Sequence, residues 1–546
     1  MRTSIRRSFF ANLGVVFAKN TKSIDGIEII FLAGFLQLSC TFLEISDNHP
    51  YNYGMERLLP FHSEYKRLRN LITYLASHPG EEDWFDFKMN NGNPAEIGEY
   101  ISALSNAATL CNHQNGYLIW GVDDQTHELL GTTFNPSVAK KGNEELENYL
   151  TRMTTPSLAL VFYALEIEGK DFVVLQIPKA KRMPTAFAGI SSIRIGSNSH
   201  PLSKYPEKEM KLWIAMSSSS FESEVCKEEL EPQEVLELLD FSCYYSRRKL
   251  PIPTDLNNVI DTFLKERFLL RSDSGKLSIT NLGAILFAKD LYDYPNLNAK
   301  AVRVIRYKAK SRVEAISESE FHQGYAVMFD ELVRYIHGLQ SQFEEIRIDR
   351  ESVGAFPDFV IREALANALV HQDLLDRSVN PMVELFPGSI EFSNPGKLLV
   401  DISRTIDTTP VCRNEMLARS LRLLRIKEDR GSGFDRIEAG LSLLHVPSAL
   451  VKTDEFHSRI ILTYRDRFSS FTEEEALRTV YSYCCYGFVN LDEKMGNAYF
   501  RKRFGLGEKD APIISRLLSK AVMEKRIKLS SDSTGVKNRF YLPYWA

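Results

Sequence analysis

The hydrophobic period of the chain changes twice between positions 84 and 122, and this pattern strongly constrains the fold. Residues 84–88 place Asp86 and Lys88 on one face and two phenylalanines on the other, as in a β-strand. Residues 95–110 carry apolar side chains at helical spacing, and residues 117–122 form a second apolar strand after a glycine. This order of strand, helix and strand favours a sheet covered by a helix. Residues 300–465 mix strands with long helices, so the sequence predicts an α+β fold.

The size and composition of the chain exclude several classes of protein. Its 546 residues are enough for three or four domains of ~150 residues each. A content of 44% hydrophobic and 25% charged residues is ordinary for a soluble globular protein and excludes collagen, coiled-coil, largely disordered and multi-span membrane chains. The net charge of −4 means that any surface for nucleic acid must be a local basic patch. The seven scattered cysteines argue against a disulfide framework and predict a reducing, cytoplasmic location.

The first 54 residues are predicted to be an extension that need not be native. Arg2, Arg6 and Arg7 precede an apolar run at residues 29–43, which is shorter than the ~20 residues of a membrane span. An amphipathic pattern begins only at Met55, so we expect the functional chain to start near that residue. The alternatives are a peripheral membrane anchor and a docked structural arm, and we expect no stable membrane insertion.

Three carboxylates lie near the ends of the predicted strands. Glu81 precedes the first strand, Asp86 lies within it, and Asp123 ends the second strand. Such oxygen ligands suit Mg²⁺ or Mn²⁺, which can activate water for a phosphoryl displacement, and Lys88 could offset charge on the scissile phosphate. From spacing alone, the alternative is a strand-edge aspartate followed by a turn.

The sequence motifs around these carboxylates resemble those of the Schlafen/AlbA-type nucleic-acid-binding domain. They are Glu81-(x4)-Asp86-Phe-Lys88, Ile101-Ser-Ala-Leu-Ser-Asn106, Asn115-Gly-Tyr-Leu-Ile-Trp-Gly-Val-Asp-Asp124 and Ile193-Arg-Ile-Gly-Ser197. The resemblance implies that Glu81, Asp86 and Asp123 are the acidic triad of an endoribonuclease acting on structured RNA such as tRNA. The family usually has Glu where this chain has Asp86. We also expect Arg194 to contact nucleic acid.

A second pair of polar residues lies on a predicted helix at residues 359–371. Glu363 and Asn367 are one turn apart and share a face of this helix. The asparagine oxygen could therefore bind Mg²⁺ while the glutamate orients water. The alternative is an ordinary polar face on an amphipathic helix.

The sequence motifs that follow this helix resemble those of the divergent GHKL-type ATPase module that is often labelled RecG-like. They are Ile390-Glu-Phe-Ser-Asn-Pro-Gly396 and Arg430-Gly-Ser-Gly-Phe-Asp435. The resemblance implies an α/β sandwich in which Asn367 binds Mg²⁺ and glycine backbones approach the phosphates of ATP. The predicted nucleotide-binding residues are Glu363, Asn367, Gly396, Gly431 and Gly433. The aspartate that usually reads adenine is missing from 393–396, which favours ATP binding without hydrolysis, and the lack of a GxxxxGK[ST] motif argues against a helicase.

The C-terminal region is predicted to be a basic winged helix. Residues 501–546 hold eleven Lys or Arg and four Asp or Glu, a local net charge of +7. Helical patterns at 497–504 and 511–525 are followed by two short strands, so we expect the second helix to enter a groove of nucleic acid. The cations expected on phosphates are Arg516, Lys520, Lys525, Arg526, Lys528, Lys537 and Arg539. The alternative is a solvated basic surface on a dimerisation domain.

The predicted organisation is therefore multidomain and α+β. The domains are an extension (1–54), a Schlafen/AlbA-type domain (55–218), a helical, winged-helix-like connector (219–299), a GHKL-like domain (300–466) and a winged-helix domain (467–546). Within the connector, the acidic stretch 222–240 is expected to be a solvated linker leading into a helix, and 276–283 a wing-like hairpin.

These patterns predict a nucleic-acid-binding protein that forms a homo-oligomer. We expect a DNA-binding transcriptional regulator or a defence protein with an ATP-binding-like module. The first alternative is a metal-dependent ribonuclease that acts on tRNA or other structured RNA in phage defence, and the second is a true ATPase. The sequence leaves the choice between DNA and RNA open.

Overall fold

The structure is a computed structural model of the chain. It describes residues 62–78, 80, 82–196, 198–217, 220–341, 356–402, 411–427, 433–465, 467–491, 494–531 and 539–546, without the side chains of 62, 63, 217 and 341. The chain divides into two units, residues 1–64 and 65–546, and the elements below belong to the second, apart from the first residues of the first helix. The predicted extension, residues 1–54, lies outside the described residues. Among the helices that are described, none is long and apolar enough to cross a membrane.

The N-terminal domain begins with an amphipathic helix, as the sequence predicts. Helix α1 spans His62–Ala76 and buries Leu68, Leu71, Ile72 and Leu75. The elements that follow it are β1 (Phe85–Lys88), α2 (Pro94–Leu110), β2 (Asn115–Trp120), β3 (Lys140–Lys141), β4 (Glu144–Glu145), α3 (Leu146–Met153), β5 (Thr154–Thr155), β6 (Val161–Ile167), β7 (Lys170–Pro178), β8 (Ala186–Phe187), β9 (Ile190–Ile195), β10 (Asn198–Pro201) and α4 (Pro206–Ser217).

Two four-stranded sheets hold this domain together. The first has the order β1-β2-β7-β6, with β1 and β2 parallel, and the second has the order β10-β9-β8-β5. Helix α2 connects β1 to β2, and its N-cap Asn93 accepts the N–H of Ala95 at 3.1 Å. A Cβ at Gly116 would lie 2.8 Å from the carbonyl oxygen of Leu104, so glycine is what lets α2 approach β2. The predicted order of strand, helix and strand is confirmed.

The connector contains a three-stranded sheet that the sequence did not predict in full. Its elements are β11 (Val225–Leu230), α5 (Pro232–Leu238), α6 (Phe241–Arg248), α7 (Leu256–Lys265), β12 (Leu269–Arg271), β13 (Leu277–Thr280) and α8 (Asn281–Phe287). The wing-like hairpin predicted at 276–283 is displaced, because β12 and β13 pair antiparallel over 269–280 and residue 281 begins α8. The prediction of a solvated linker at 222–240 is wrong, because β11 joins the sheet in the order β11-β13-β12. Its acidic side chains find partners outside the core, as Glu229 accepts the hydroxyl of Ser274 at 2.6 Å.

The next region is a six-stranded sheet packed against helices. Its elements are β14 (Val302–Tyr307), β15 (Ala315–Phe321), α9 (Tyr325–Ser341), α10 (Asp358–His371), β16 (Met382–Phe386), β17 (Ser389–Pro395), α11 (Glu415–Leu423), α12 (Gly433–Leu443), β18 (Leu450–Thr453) and β19 (His457–Thr463). The sheet has the order β15-β14-β16-β17-β19-β18, with β14 and β16 parallel. The strands predicted at 301–307, 382–386 and 390–392 are confirmed. One hydrophobic core runs from Leu230 of the connector to Leu462 of β19, so the two regions are packed as one body.

The C-terminal domain consists of three helices followed by a two-stranded hairpin. Its elements are α13 (Glu473–Tyr486), α14 (Asn497–Arg503), α15 (Ala511–Met523), β20 (Ile527–Leu529) and β21 (Tyr541–Pro543). Thr472 and Glu475 form a capping box at the start of α13. Ile514 and Leu518 of α15 are buried, as its predicted apolar stripe requires. The helices and strands predicted from residue 497 onwards are therefore present in the predicted order.

Candidate functional site

Asp86 lies in the middle of β1 and is paired with two cations. Its side chain is 1% exposed. One carboxylate oxygen accepts a hydrogen bond from the ammonium of Lys88 at 2.8 Å, and the other is in an ion pair with the guanidinium of Arg194 on β9. Arg194 is itself 0% exposed. Both oxygens of Asp86 are therefore engaged by positive charges inside the domain.

Lys88 completes this cluster on the side nearer to solvent. Burial acts to lower the pKa of Lys88, but the charge of Asp86 and the hydrogen bond to it outweigh burial and raise the pKa. The ammonium also lies 4.6 Å from the centre of the Tyr100 ring. Lys88 is thus a permanently charged partner of Asp86, and Arg194, which we expected on nucleic acid, has its guanidinium buried against the same carboxylate.

Asp123 lies beyond the end of β2 and shapes a turn. Its Oδ1 accepts the N–H of Gln125 at 3.1 Å, the N–H of Thr126 at 2.8 Å and the hydroxyl of Thr126 at 3.0 Å. These hydrogen bonds lower the pKa of Asp123. The arrangement is the strand-edge aspartate and turn that spacing alone allowed.

A divalent metal does not fit the carboxylates that the structure describes in this domain. Both oxygens of Asp86 already pair with cations, Lys88 and Arg194, whose positive charges would repel a divalent ion at the same carboxylate. Glu81, the third member of the predicted triad, lies outside the described residues. Over the described part of the chain, no group of three or more His, Cys, Asp or Glu side chains could hold a metal ion. No catalytic step through a metal follows from this geometry.

The polar residues of the sequence motif at 101–106 form a buried network instead of a binding surface. Asn106 donates to the carbonyl oxygens of Thr185 at 2.9 Å and Ser192 at 2.8 Å, and its Oδ1 accepts the N–H of Thr185 at 2.8 Å. Ser102 donates to the carbonyl of Thr185 at 2.7 Å and accepts the N–H of Ser192 at 2.8 Å. The network ties α2 to the strands that carry Arg194. Sequence reasoning missed this role, although polar residues amid an apolar helix face were its signal.

At the second predicted site, the helix pair lies against a glycine. Glu363 and Asn367 lie one turn apart on α10, and Gly433 is the first residue of α12. A Cβ on Gly433 would overlap Oε1 of Glu363 and lie 3.5 Å from Oδ1 of Asn367. The structure therefore places Gly433 directly beside the pair, and Gly431 lies outside the described residues.

The asparagine of this site is hydrogen-bonded to a lysine that was not among the residues predicted from the sequence. The ammonium of Lys427 donates to Oδ1 of Asn367 at 2.8 Å. Burial lowers the pKa of Lys427, although the nearby charge of Glu363 acts to raise it. The oxygen predicted to bind Mg²⁺ therefore accepts a hydrogen bond from a cation of the chain itself.

Gly396 follows β17 and lies against the end of α10. Its φ of +101° is a conformation that glycine adopts readily, and a Cβ there would overlap the guanidinium of Arg413. Arg413 donates to the carbonyl oxygen of Lys397 at 3.1 Å. Burial, with the charges of Lys427 and Arg413, lowers the pKa of His371 to about 4, so this histidine is neutral at pH 7. Two of the glycines predicted to approach phosphates, Gly396 and Gly433, thus approach side chains of this region.

Some of the cations that are predicted to contact phosphate in the C-terminal domain are exposed, and others pair with acceptors of the protein itself. Arg516, Lys525 and Arg539 are exposed. Lys520 pairs with Glu473, and Arg526 pairs with Glu474 at 2.6 Å. Two further predicted contacts are Lys528, which donates to the carbonyl oxygen of Ala546, and Lys537, which lies outside the described residues. Three exposed cations and two paired ones therefore lie on the helix–hairpin unit.

Two regions of the chain match known protein families. Residues 81–203 match the family described as "Schlafen, AlbA_2". Residues 379–462 match the family described as "Putative ATP-dependent DNA helicase recG C-terminal". The chain thus contains a Schlafen/AlbA domain and a RecG-like C-terminal domain, which confirms both resemblances and indicates a nucleic-acid-binding protein with ATP-binding-like features. No curated protein sequence matches the chain.

Two solved structures resemble the chain only distantly. The crystal structure of the DIP2311 protein from Corynebacterium diphtheriae is 13% identical, covers 88% of this chain and 100% of its own, and has a TM-score of 0.35. The solution structure of the N-terminal domain of a putative ATP-dependent DNA helicase RecG-related protein from Nitrosomonas europaea is 20% identical and has a TM-score of 0.18. That match covers 24% of this chain and 90% of its own. Both TM-scores are low, and the function proposed below rests on neither structure.

Proposed function

We propose that the protein is a cytoplasmic DNA-binding regulator whose C-terminal domain contacts the sugar-phosphate backbone. One observation carries the proposal: Arg516, Lys525 and Arg539 are all exposed on a single helix–hairpin unit. Arg516 lies on α15, Lys525 follows that helix, and Arg539 precedes β21. Positive side chains arranged in this way neutralise phosphates and release counterions, which is the main source of sequence-independent affinity for DNA.

The paired cations of the same unit add to this surface when nucleic acid is present. Lys520 and Arg526 are held by Glu473 and Glu474 at the start of α13. Exposed ion pairs are weak, so a phosphate can replace either carboxylate at small cost. The carboxylates therefore weaken binding without preventing it.

The RecG-like region is proposed to support this function as a scaffold, including a homo-oligomeric assembly. Its core is continuous with that of the connector. Nucleotide sensing is a further role that the family match supports. A role in transcriptional regulation or in defence against phage is also part of the proposal. That role is independent of both the continuous core and the family match.

Catalysis by the Schlafen/AlbA domain is the alternative that we place second. A ribonuclease of the predicted kind needs Asp86 as a metal ligand, whereas its pairing with Lys88 and Arg194 supports a structural role. If the alternative were correct, the purified protein would cleave tRNA in the presence of Mn²⁺, EDTA would stop the reaction, and Asp86→Glu would preserve or raise the rate. Absence of EDTA-sensitive cleavage, with retained binding, would leave the binding function alone.

The decisive experiment is a salt-dependent DNA-binding titration of charge-reversal variants. Arg516→Glu, Lys525→Glu and Arg539→Glu should each weaken binding to all DNA sequences, and each lost phosphate contact should flatten the log–log salt slope by ~0.9. Lys308→Glu is the matched control, because Lys308 is also exposed but follows β14, far along the chain. Unchanged affinity and slope for the three C-terminal variants, or equal losses for Lys308→Glu, would refute the proposal.

A further inference from the structure

Asn367 is the residue that the resemblance to GHKL-type ATPases predicted to bind Mg²⁺, and the contacts there do not suit a metal. Its Oδ1 accepts a hydrogen bond from the ammonium of Lys427 at 2.8 Å. Asn367 and Lys427 are 60 residues apart in the chain. A Mg²⁺ ion would need the same oxygen at ~2.1 Å and would keep several waters around itself.

We infer that Lys427 is a built-in cation that replaces the divalent metal at Asn367. Lys427 supplies one positive charge next to the same two side chains, Glu363 and Asn367, that were predicted to serve a metal. Glu363 is buried, so its charge needs a nearby countercharge, and Lys427 provides one. Asn367 consequently binds no divalent ion while Lys427 is present.

The surroundings of Lys427 fit a resident cation more closely than a dissociable one. Gly433 lies so near Glu363 that a Cβ there would overlap Oε1, which leaves little room for the hydration shell of a metal on that side. A Mg²⁺ ion bound to Asn367 would also lie within a few ångströms of the ammonium. Repulsion between like charges in a partly buried place is screened less than in water. Metal and ammonium therefore exclude each other.

The inference predicts a latent metal site that appears when the lysine is removed. In Lys427→Ala, Oδ1 of Asn367 loses its donor and Glu363 loses its countercharge, so millimolar Mg²⁺ or Mn²⁺ should bind and raise the melting temperature. Wild type should show no such rise that depends on Asn367. The double variant Lys427→Ala/Asn367→Ala should lose the gain, and Lys427→Arg, which keeps the charge, should not acquire it.

The measurement is a thermal melt of the full chain with and without Mg²⁺, together with Mn²⁺ binding followed by electron paramagnetic resonance. Lys452→Ala is the matched control, because it also removes a lysine and Lys452 is exposed on β18 of the six-stranded sheet. The inference fails if Asn367→Ala lowers Mn²⁺ binding in the wild-type background, or if Lys427→Ala gains no metal-dependent stability. Should Lys427→Ala not fold, Lys427→Ser and the wild-type Mn²⁺ comparison decide the question. DNA affinity plays no part in these readouts, so failure here and failure of the proposed DNA binding are distinguishable.

Discussion

Asp86 and Asn367 were both predicted to bind a divalent metal, and at both positions a basic side chain contacts the predicted ligand. At Asp86 the contacts come from Lys88 and from Arg194, which is 0% exposed. At Asn367 the contact is a single hydrogen bond from Lys427, and both residues are only half-buried. The first arrangement pairs a buried carboxylate with two cations, whereas the second places one cation on a neutral amide. The same kind of sequence signal therefore marks a buried ion pair in one domain and a single hydrogen bond from a lysine in the other.

The largest effect is expected where the buried charge is removed. Asp86→Asn should lower the free energy of unfolding by about 3–5 kcal/mol, because Arg194 would be left buried without a carboxylate. Urea unfolding would measure the loss, and Asp124→Asn, at an exposed position of the same domain, should change stability little. A loss equal to that of Asp124→Asn would contradict the structural role of Asp86 and restore it as a candidate metal ligand.

Another buried acid, Glu438, sharpens this comparison, because its hydrogen bond comes from a neutral donor. Glu438 of α12 accepts the N–H of Ala449 at 3.0 Å, and burial raises the pKa of Glu438 to about 7. The folded state therefore holds this proton more tightly than the unfolded state, so stability should fall as pH rises from about 4.5 to about 7. The fall should be roughly 3 kcal/mol.

The test of Glu438 is a series of unfolding curves at several pH values. Glu438→Gln keeps the shape of the protonated acid and should remove most of the loss between these pH values. Exposed Glu455 offers a control in Glu455→Gln, which should leave the pH dependence as in wild type. An unchanged pH dependence in Glu438→Gln would mean that other groups cause it.

A smaller effect is expected at Asn367. Asn367→Ala removes one hydrogen bond to Lys427, which should lower the free energy of unfolding by about 1–2 kcal/mol. The loss should be clearly smaller than that of Asp86→Asn when both are measured by urea unfolding. Equal losses would show that the two sites do not differ in the way described above.

The smallest effect is expected at the exposed ion pairs of the C-terminal domain. Glu473→Gln should release Lys520, and Glu474→Gln should loosen Arg526, which also pairs with Glu524 at 3.1 Å. Each variant should raise DNA affinity by a few-fold at most, since such pairs are worth under ~1 kcal/mol. Glu508→Gln removes the same charge from an exposed position of this domain and should raise affinity less. Equal gains for all three variants would indicate a general charge effect in place of released cations.

Local patterns in the sequence were enough to predict much of the fold. Period-2 and helical spacing predicted β1, α2 and β2, the strands β14 and β16, and the helices α10 and α15, because each pattern reports which face of one element is buried. The sequence motifs around Asp86 and those at 390–396 and 430–435 identified the two matched families. The strand β11 was missed, because its acidic composition is typical of a linker and its partner β13 lies about 50 residues away.

What only the tertiary structure decided is the role of the polar residues within those patterns. Arg194 is 108 residues from Asp86, and Lys427 is 60 residues from Asn367. The countercharge and burial that separate a structural residue from a metal ligand thus come from distant segments. Sequence spacing determined which side chains share a strand or a helix. Packing between elements determined which of their oxygens remain free to bind a ligand, because a hydrogen bond or an ion pair depends on distances that local periodicity does not contain.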